Sequence, residues 1–405
     1  MLKRIISSLL AITSLFCICT VSMASTEKVA FVNSSIAQQI ATNFVIARIQ
    51  ATDSNLVENT FPFPFSVVLS DTMYDLNGDI SAYKFDILDE NAGYSGYVIA
   101  GAQNRFLPII EYGVGNSPSF LDVAKNELEA TQSSKLYYVG GFEYYIETPS
   151  NEHSKTAIYN VATGNRIAAN TSELNKLIKT SSVDDLYSNI WNNSLVYASQ
   201  HTRSGNTIIT DPFDYETGYD SYNINYIDSA LQPDYITDSD YPFSIRTNAC
   251  SAIAATNLFL YHYEENDKTS LMYNGSWYNS FEKIREYANH IDGEYVTVRK
   301  LTQAINSYVD AQGYTLALAD FTDSPSESLM TGAVANDSPQ ILLVNEHSDY
   351  EDHFLLTLGY EKFFYSYPYD TPYVTYFVVA DGWNNGYRYI CYDENYFTSV
   401  IDLEF

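Results

Sequence analysis

The feature that most constrains the fold of this chain is a short stretch near its middle, residues 246–261. Its sequence is Arg-Thr-Asn-Ala-Cys-Ser-Ala-Ile-Ala-Ala-Thr-Asn-Leu-Phe-Leu-Tyr. Thr247 or Asn248 can cap a helix here, because a side-chain oxygen accepts the free N–H groups of a first turn. Alanines keep the first turns narrow, and apolar residues at helical spacing follow them. The stretch predicts a buried helix that begins at Cys250 and lies close against a sheet.

Cys250 has two interpretations at this position. The amino end of a helix is the positive end of its dipole, which favours a thiolate over a thiol, and the thiolate is the nucleophilic form of cysteine. A buried cysteine with no chemical role is the alternative, because free cysteines are common in protein cores. The stretch alone leaves both interpretations open.

The composition limits the classes of partner. The chain has 405 residues, a formal net charge of −29 and a sequence pI of about 4.3. We expect no nucleic-acid partner, because phosphate binding requires a basic face. Hydrophobic residues make up 46% of the chain, which predicts a globular protein with enough length for two or three domains.

The first residues, 1–24, have the pattern of a secretory signal peptide. Two basic residues at positions 3 and 4 precede an apolar run over 5–20, and Ser-Met-Ala at 22–24 provides small residues for cleavage. We therefore expect cleavage near Ala24 and a secreted protein. No second apolar run of spanning length follows, so we expect no stable membrane insertion.

Two cysteines remain once the signal peptide is removed, Cys250 and Cys391, because Cys17 and Cys19 lie within it. An exported chain of this size with two cysteines is not a disulfide scaffold. The pair either forms one structural disulfide or consists of one reactive thiol and one buried thiol without a role.

Residues 25–205 predict an α+β domain. A helix near Ile36 precedes a run of short strands, and residues 75–79, Asp-Leu-Asn-Gly-Asp, form the clearest hairpin turn. This region has no cysteine, and its two histidines lie in polar stretches, so no catalytic arrangement is visible there. Residues 206–240 are rich in Asp, Asn, Ser, Thr, Gly and Tyr, which indicates a linker or activation segment open to proteolysis.

Residues 241–405 predict a second domain in which helices precede an antiparallel sheet. Further helices are predicted near 281–291 and 298–309, and Ser-Pro-Ser-Glu at 324–327 predicts another that is capped by Ser324. The pattern then becomes extended, with strands predicted over 340–345, 353–360, 374–380 and 387–391. This order of elements predicts an α+β domain.

Cys250, His353 and Asp381 are the candidate catalytic residues of this domain. His353 begins a predicted strand, and Asp381 ends another, where it can hold an imidazole in one tautomer. A thiol is mostly protonated near neutral pH, so its chemistry needs a base and a group that orients the base. The other histidines lie in an acidic loop (His347) or at helix ends. Since no close Cys/His ligand pair recurs, we expect no metal and no cofactor.

These motifs resemble those of papain-like cysteine peptidases. The layout is most similar to the double-glycine leader (bacteriocin-processing) peptidases and their secreted relatives, and residues 381–383, Asp-Gly-Trp, also resemble the Asn-Ser-Trp element of papain. Residues 96–101 and 107–112 resemble the propeptide of streptopain-type peptidases. The matching stretches of the second domain are Asn-Ala-Cys at 248–250, the helix ending at Gly313, Pro339–Val344, His353-Phe354, Gly359-Tyr360 and Asp381.

The resemblance implies a papain-like C-terminal domain preceded by a propeptide-like domain. It implies a secreted cysteine endopeptidase, made as a zymogen, that hydrolyses protein or peptide substrates. Cys250 would be the nucleophile, His353 the base and then the acid, and Asp381 the residue that orients His353, with Trp383 shielding the His–Asp pair. The propeptide would block the cleft as an intramolecular inhibitor until cleavage between about residues 180 and 240.

Two positions depart from the family pattern. Ser-Ala at 251–252 follows the nucleophile, where the family has Gly-Pro or Gly-Ser after or near it. Ser244 stands six residues before the cysteine, where the family has the glutamine of the oxyanion hole, and Gln232 lies farther upstream. The oxyanion hole would then use the Cys250 backbone N–H together with Asn248 or Ser244.

Two other functions remain open. The same scaffold can catalyse amidase or transpeptidase reactions on cell-wall peptides. Alternatively, an inactive papain-like fold can serve as a binding or adhesive protein through tyrosine-rich loops such as residues 364–369. A reactive thiol at Cys250 would distinguish either enzyme from the inactive binding protein. The substrate that is converted would distinguish the peptidase from the amidase or transpeptidase.

Overall fold

Helices and one large sheet form the part of the chain that the structure describes. The computed structural model describes residues 31–52, 60–131, 133–141, 143–149, 156–161, 166–174, 186–200, 207–227, 230–231, 235–237, 240, 249–288, 296–344, 353–366, 372–383 and 386–405. Val32–Phe405 form one compact unit. The predicted signal peptide lies outside the described residues.

The described α-helices are α1 (Ser34–Ala51), α2 (Phe120–Glu127), α3 (Thr171–Leu174), α4 (Leu186–Gln200), α5 (Cys250–Glu265), α6 (Trp277–Tyr287), α7 (Val298–Ala311) and α8 (Glu327–Ala335). Among them, none combines the length and the apolar character that crossing a membrane requires. The predicted N-cap of α8 at Ser324 is wrong by two residues: Ser326 caps the helix, and its Oγ accepts the N–H of Leu329.

The strands are β1 (Phe65–Tyr74), β2 (Ile80–Asp89), β3 (Tyr94–Gly101), β4 (Ile109–Val114), β5 (Lys135–Tyr138), β6 (Tyr144–Pro149), β7 (Thr156–Asn160), β8 (Arg166–Ala168), β9 (Tyr219–Tyr226), β10 (Leu318–Asp323), β11 (Gln340–Val344), β12 (His353–Tyr365), β13 (Tyr373–Ala380), β14 (Tyr387–Cys391) and β15 (Phe397–Glu404). The predicted turn at residues 75–79 is confirmed, because the Asp75 N–H donates to the Asp79 carbonyl and joins β1 to antiparallel β2.

The fifteen strands of the described residues form a single sheet. Its order is β10-β15-β11-β12-β13-β14-β4-β3-β2-β1-β5-β6-β7-β8, and β9 pairs with β12. The pairing is antiparallel except between β1 and β5. The mixture of helices with a mainly antiparallel sheet confirms the α+β class.

The sheet is continuous across the two predicted domains. Strand β4, from residues 25–205, pairs with β14, from residues 241–405, so that Tyr387 lies opposite Val114 and Ile390 opposite Glu111. Backbone hydrogen bonds therefore join the N-terminal region to the C-terminal region. Whether the chain divides into a propeptide and a peptidase stays a prediction.

Strand β9 lies inside the predicted activation segment and pairs with the second half of β12. Gly359 marks the point on β12 where this pairing begins. A Cβ on Gly359 would lie 2.8 Å from the carbonyl oxygen of Asn225 and 2.9 Å from Cδ1 of Tyr226. Glycine is required here, because the two backbones approach too closely for a side chain.

Helix α1 packs in a core that both regions share. The ring centroid of Phe44 lies 4.8 Å from that of Tyr112 in β4, 5.2 Å from that of Phe363 in β12 and 5.8 Å from that of Tyr376 in β13. Aromatic side chains bury large areas, so this cluster stabilises the junction between the regions.

A second core lies where α5 packs against β11 and β12. Phe354, Leu356 and Leu358 are buried there, and Leu355 and Thr357 on the other face of β12 are each only 1% exposed. β12 is therefore a central strand that is covered on both sides.

Candidate functional site

Cys250 is the first residue of α5, as the sequence predicts. The N-cap is Ala249, with φ −80° and ψ −11°, and its side chain makes no capping hydrogen bond. The predicted capping residues, Thr247 and Asn248, lie outside the described residues. Cys250 is partly exposed and packs against the core beneath the helix, so its thiol lies at the positive end of the helix dipole.

His353 is the first residue of β12 and is 6% exposed. Its Nε2 lies 3.0 Å from the backbone carbonyl oxygen of Asp381. A carbonyl oxygen only accepts hydrogen bonds, so Nε2 carries the hydrogen in this contact. The neutral ring then keeps a lone pair on Nδ1, which is the form that takes a proton from a thiol.

Trp383 covers the imidazole. The two ring centroids are 4.1 Å apart, with 22° between the ring planes. The turn that holds Trp383 is closed by its own N–H, which donates to Oδ1 of Asp381 at 2.9 Å, while Gly382 adopts φ 77°. Glycine suits this position, because other residues rarely adopt a positive φ.

Asp381 is 1% exposed, and its carboxylate lies near a buried cation. Its Oδ2 lies 3.6 Å from Nη1 of Arg388 in β14, and Nη2 of Arg388 lies 2.7 Å from Oε2 of Glu111 in β4. Burial disfavours the charge of Arg388, but Glu111 and then Tyr97 and Asp381 raise its pKa above the ordinary value. Arg388 therefore stays charged beside the site.

His353 is neutral at physiological pH. Burial, followed by the charge of Arg388, lowers its pKa to about 3, and the hydrogen bond to the Asp381 carbonyl acts in the opposite direction. A neutral imidazole can act as a general base.

The turn that carries Asp381 lies against the first turn of α5. A Cβ on Gly382 would lie 3.0 Å from Cγ2 of Ile253, one helical turn after Cys250. Helix α5 also packs on β12, the strand that His353 begins. The structure thus brings the turn of residues 381–383 to the helix that begins at Cys250.

Cys391 is a different kind of thiol. It ends β14, its Sγ lies 3.3 Å from the carbonyl oxygen of Tyr392, and burial raises the pKa of its thiol well above the ordinary value. Such a thiol is inert, because the reactive form is the thiolate. Neither Cys250 nor Cys391 is in a disulfide, so the bond that the sequence left open does not form between them.

In the part of the chain that the structure describes, few other groups compete for a catalytic role. His262 is buried in α5, against the ring of Phe405. Within the described ranges, no group of three or more His, Cys, Asp or Glu side chains is arranged to hold a metal ion. The other four histidines and the oxyanion-hole candidates Ser244 and Gln232 lie outside those ranges.

Sequence reasoning missed Arg388 and Glu111. Each is a charged residue inside an otherwise apolar strand, in Ile-Ile-Glu-Tyr-Gly-Val at 109–114 and Tyr-Arg-Tyr-Ile-Cys at 387–391. Buried charges are almost always paired, so these two strands carried a signal that they are neighbours.

Comparison with known proteins adds no relative: no protein-family model matches the chain, and no curated protein matches it.

Proposed function

We propose that the protein is a secreted cysteine peptidase of papain-like architecture, with Cys250 as nucleophile, His353 as base and Asp381 as the residue that orients His353. One observation carries the proposal. The Nε2–H group of His353 donates to the carbonyl of Asp381, which leaves the lone pair on Nδ1. A nucleophile, a base and a group that orients the base are the three parts that thiol catalysis requires.

The steps follow from this arrangement. Nδ1 of His353 takes the thiol proton of Cys250, and the sulfur bonds to the carbonyl carbon of the scissile peptide. The C–N bond then breaks as the imidazolium gives its proton to the leaving amine. Water, deprotonated by His353, attacks the thioester, and the acid product leaves with the thiol restored.

The developing oxyanion needs hydrogen-bond donors at the amino end of α5. The first N–H groups of a helix have no partners within it, and they point toward such a charge. The Cys250 N–H is the donor that we assign, and Asn248 or Ser244 would provide the second.

Secretion and latency belong to the same proposal. The signal peptide would be removed near Ala24, and residues 25–205 would inhibit the peptidase until the chain is cut between about residues 180 and 240. Support for an influence of this region on the site comes from Phe120 in α2, whose ring centroid lies 6.1 Å from that of Trp383.

The test uses the chain without residues 1–24 under mild reducing conditions, with casein as substrate. We expect hydrolysis, and conversion of the protein to a form that begins near residues 180–240 by intact mass. Cys250→Ala should lose both, whereas Cys391→Ala should keep both, because Cys391 lies outside the proposed site. Hydrolysis by Cys250→Ala would refute the nucleophile, and an intact chain with an unreactive Cys250 would favour a binding protein.

A further inference from the structure

Glu111 of the N-terminal region is buried beside the proposed site. It is 1% exposed, although it carries a charge. Its Oε1 accepts the hydroxyl of Tyr97 at 2.9 Å, and its Oε2 accepts the hydroxyl of Tyr144 at 3.1 Å and lies 2.7 Å from Nη2 of Arg388. Three donors therefore hold this carboxylate in one orientation, as a buried charge requires.

Arg388 lies between two carboxylates at unequal distances. Nη2 is 2.7 Å from Glu111, whereas Nη1 is 3.6 Å from Asp381. The guanidinium carbon also lies 3.9 Å from the ring centroid of Phe120 and 5.3 Å from that of Trp383. Phe120 and Glu111 both belong to the N-terminal region, so that region binds Arg388 more closely than the proposed site does.

We infer that Glu111 is a positioning residue of the site: by binding Arg388 it prevents that cation from pairing fully with Asp381 and from acting at full strength on His353. The inference rests on the proposed function. It adds that the N-terminal region completes the catalytic machinery and is more than an inhibitor.

Electrostatics gives the direction of the effect. The charged groups that act on His353 are Arg388 and, through its carbonyl, Asp381. Burial lowers the pKa of Arg388, whereas the carboxylate of Glu111, then Tyr97 and the carboxylate of Asp381, raise it. Burial and then Glu111 raise the pKa of Tyr97 and Tyr144, so both remain neutral donors and Glu111 supplies the negative charge. Loss of that charge strengthens the positive potential at the imidazole and disfavours the imidazolium.

The experiment measures the rate at which iodoacetamide alkylates Cys250 as a function of pH, with the site mapped by mass spectrometry. Reaction requires the thiolate, which forms when His353 takes the thiol proton and becomes an imidazolium. In Glu111→Gln we expect the midpoint of this profile to move to higher pH, with a rate near pH 6 about tenfold lower, since a neighbouring buried charge shifts a pKa by about one unit or more.

Two further variants separate a charge effect from structural damage. Arg388→Met removes the cation, so its midpoint should move in the opposite direction, to lower pH. The double variant Glu111→Gln/Arg388→Met should return close to the wild-type profile. If Glu111 and Arg388 had a purely structural role, the midpoint of the alkylation profile would instead move in the same direction in both single variants and in the double variant. If Glu111→Gln fails to fold, the direction of the Arg388→Met shift still decides the question.

Glu361→Gln is the matched control. Glu361 is also a buried carboxylate that pairs across the junction, with Nη2 of Arg48 at 2.7 Å, but the proposed mechanism gives it no role. We expect a lower melting temperature and an unchanged alkylation profile. If Glu111→Gln behaves like this control while His353→Ala slows alkylation, the positioning role of Glu111 is refuted and the proposed function stands. If His353→Ala leaves alkylation unchanged, the proposed function fails first, and the positioning role with it.

Discussion

At the residue scale, Asp381 contacts the site through two different groups. Its backbone carbonyl accepts the Nε2–H group of His353, while its carboxylate accepts the Trp383 N–H and lies near Arg388. The sequence predicted that Asp381 orients His353, but it did not indicate whether the carboxylate or the backbone carbonyl of Asp381 contacts the imidazole. That choice depends on the turn at residues 381–383, and so on the conformation of Gly382.

Gly382→Ala should therefore impair catalysis. A Cβ would lie 3.0 Å from Cγ2 of Ile253, and φ of 77° strains an L-residue. Displacement of the Asp381 carbonyl should lower kcat/KM for casein-derived peptides by about 10- to 100-fold. Gly313→Ala is the control, because Gly313 has φ 91° and open space around its Cα; it should cost stability alone. Equal activities of the two variants would contradict the role of the turn.

The burial of His262 should make the stability of the protein depend on pH. Burial, then Lys268, lowers its pKa to about 4, below the value of about 6.5 in an unfolded chain. The unfolded state therefore binds a proton first as pH falls from 6.5 to 4, and stability is lost over this window. Between pH 7 and pH 4, the free energy of unfolding of His262→Phe should fall by about 3 kcal/mol less than that of the wild type. Urea titrations at the two pH values measure this difference. Parallel stability curves would refute this.

At the scale of elements, long amphipathic helices and apolar strands were predictable, and polar strands were not. The helices predicted from Cys250 and from Val298 begin where the structure has them, whereas the helix predicted near 281–291 begins four residues earlier, at Trp277. Strand β9, Tyr-Asp-Ser-Tyr-Asn-Ile-Asn-Tyr at 219–226, has the composition of a linker and forms only because β12 offers it a partner. Long-range pairing of this kind overrides local preference.

The contact between α1 and β12 gives a stability prediction. Nη2 of Arg48 lies 2.7 Å from Oε1 of Glu361 and Nε lies 3.3 Å from Oε2, with side chains that are 1% and 0% exposed. Arg48→Met leaves Glu361 buried without its cation, which should lower the free energy of unfolding by about 3–5 kcal/mol. The double variant Arg48→Met/Glu361→Gln should recover part of this loss in urea titrations. A loss below about 1 kcal/mol would contradict the ion pair's role.

At the scale of the whole molecule, the N-terminal region is built into the fold. Pairing of β4 with β14, the core around Phe44 and two buried ion pairs, Arg48–Glu361 and Glu111–Arg388, all join it to the C-terminal region. The sequence predicted the two parts separately, because each has its own run of elements. The shared sheet was harder to predict, since the pairing of distant strands leaves no local pattern beyond one buried charge in each strand, Glu111 in β4 and Arg388 in β14.

A cut in the connection should therefore leave the two parts together. We would insert a protease recognition sequence within residues 201–206 and cleave the folded chain. The fragments should elute together in size-exclusion chromatography under native conditions and separate only in denaturant, because the interface is as hydrophobic as a core. Elution of the N-terminal fragment alone in native buffer would contradict this.

The most direct test of catalysis by Cys250 is to trap the acyl-enzyme. The protein is mixed with an activated peptide ester, quenched in acid and analysed by intact mass and peptide mapping. We expect an acyl adduct on Cys250 that disappears as substrate is consumed, is retained in Cys391→Ala and is lost in Cys250→Ala and His353→Ala. Hydrolysis without an adduct on Cys250, or an adduct that forms equally well in His353→Ala, would contradict the proposed mechanism.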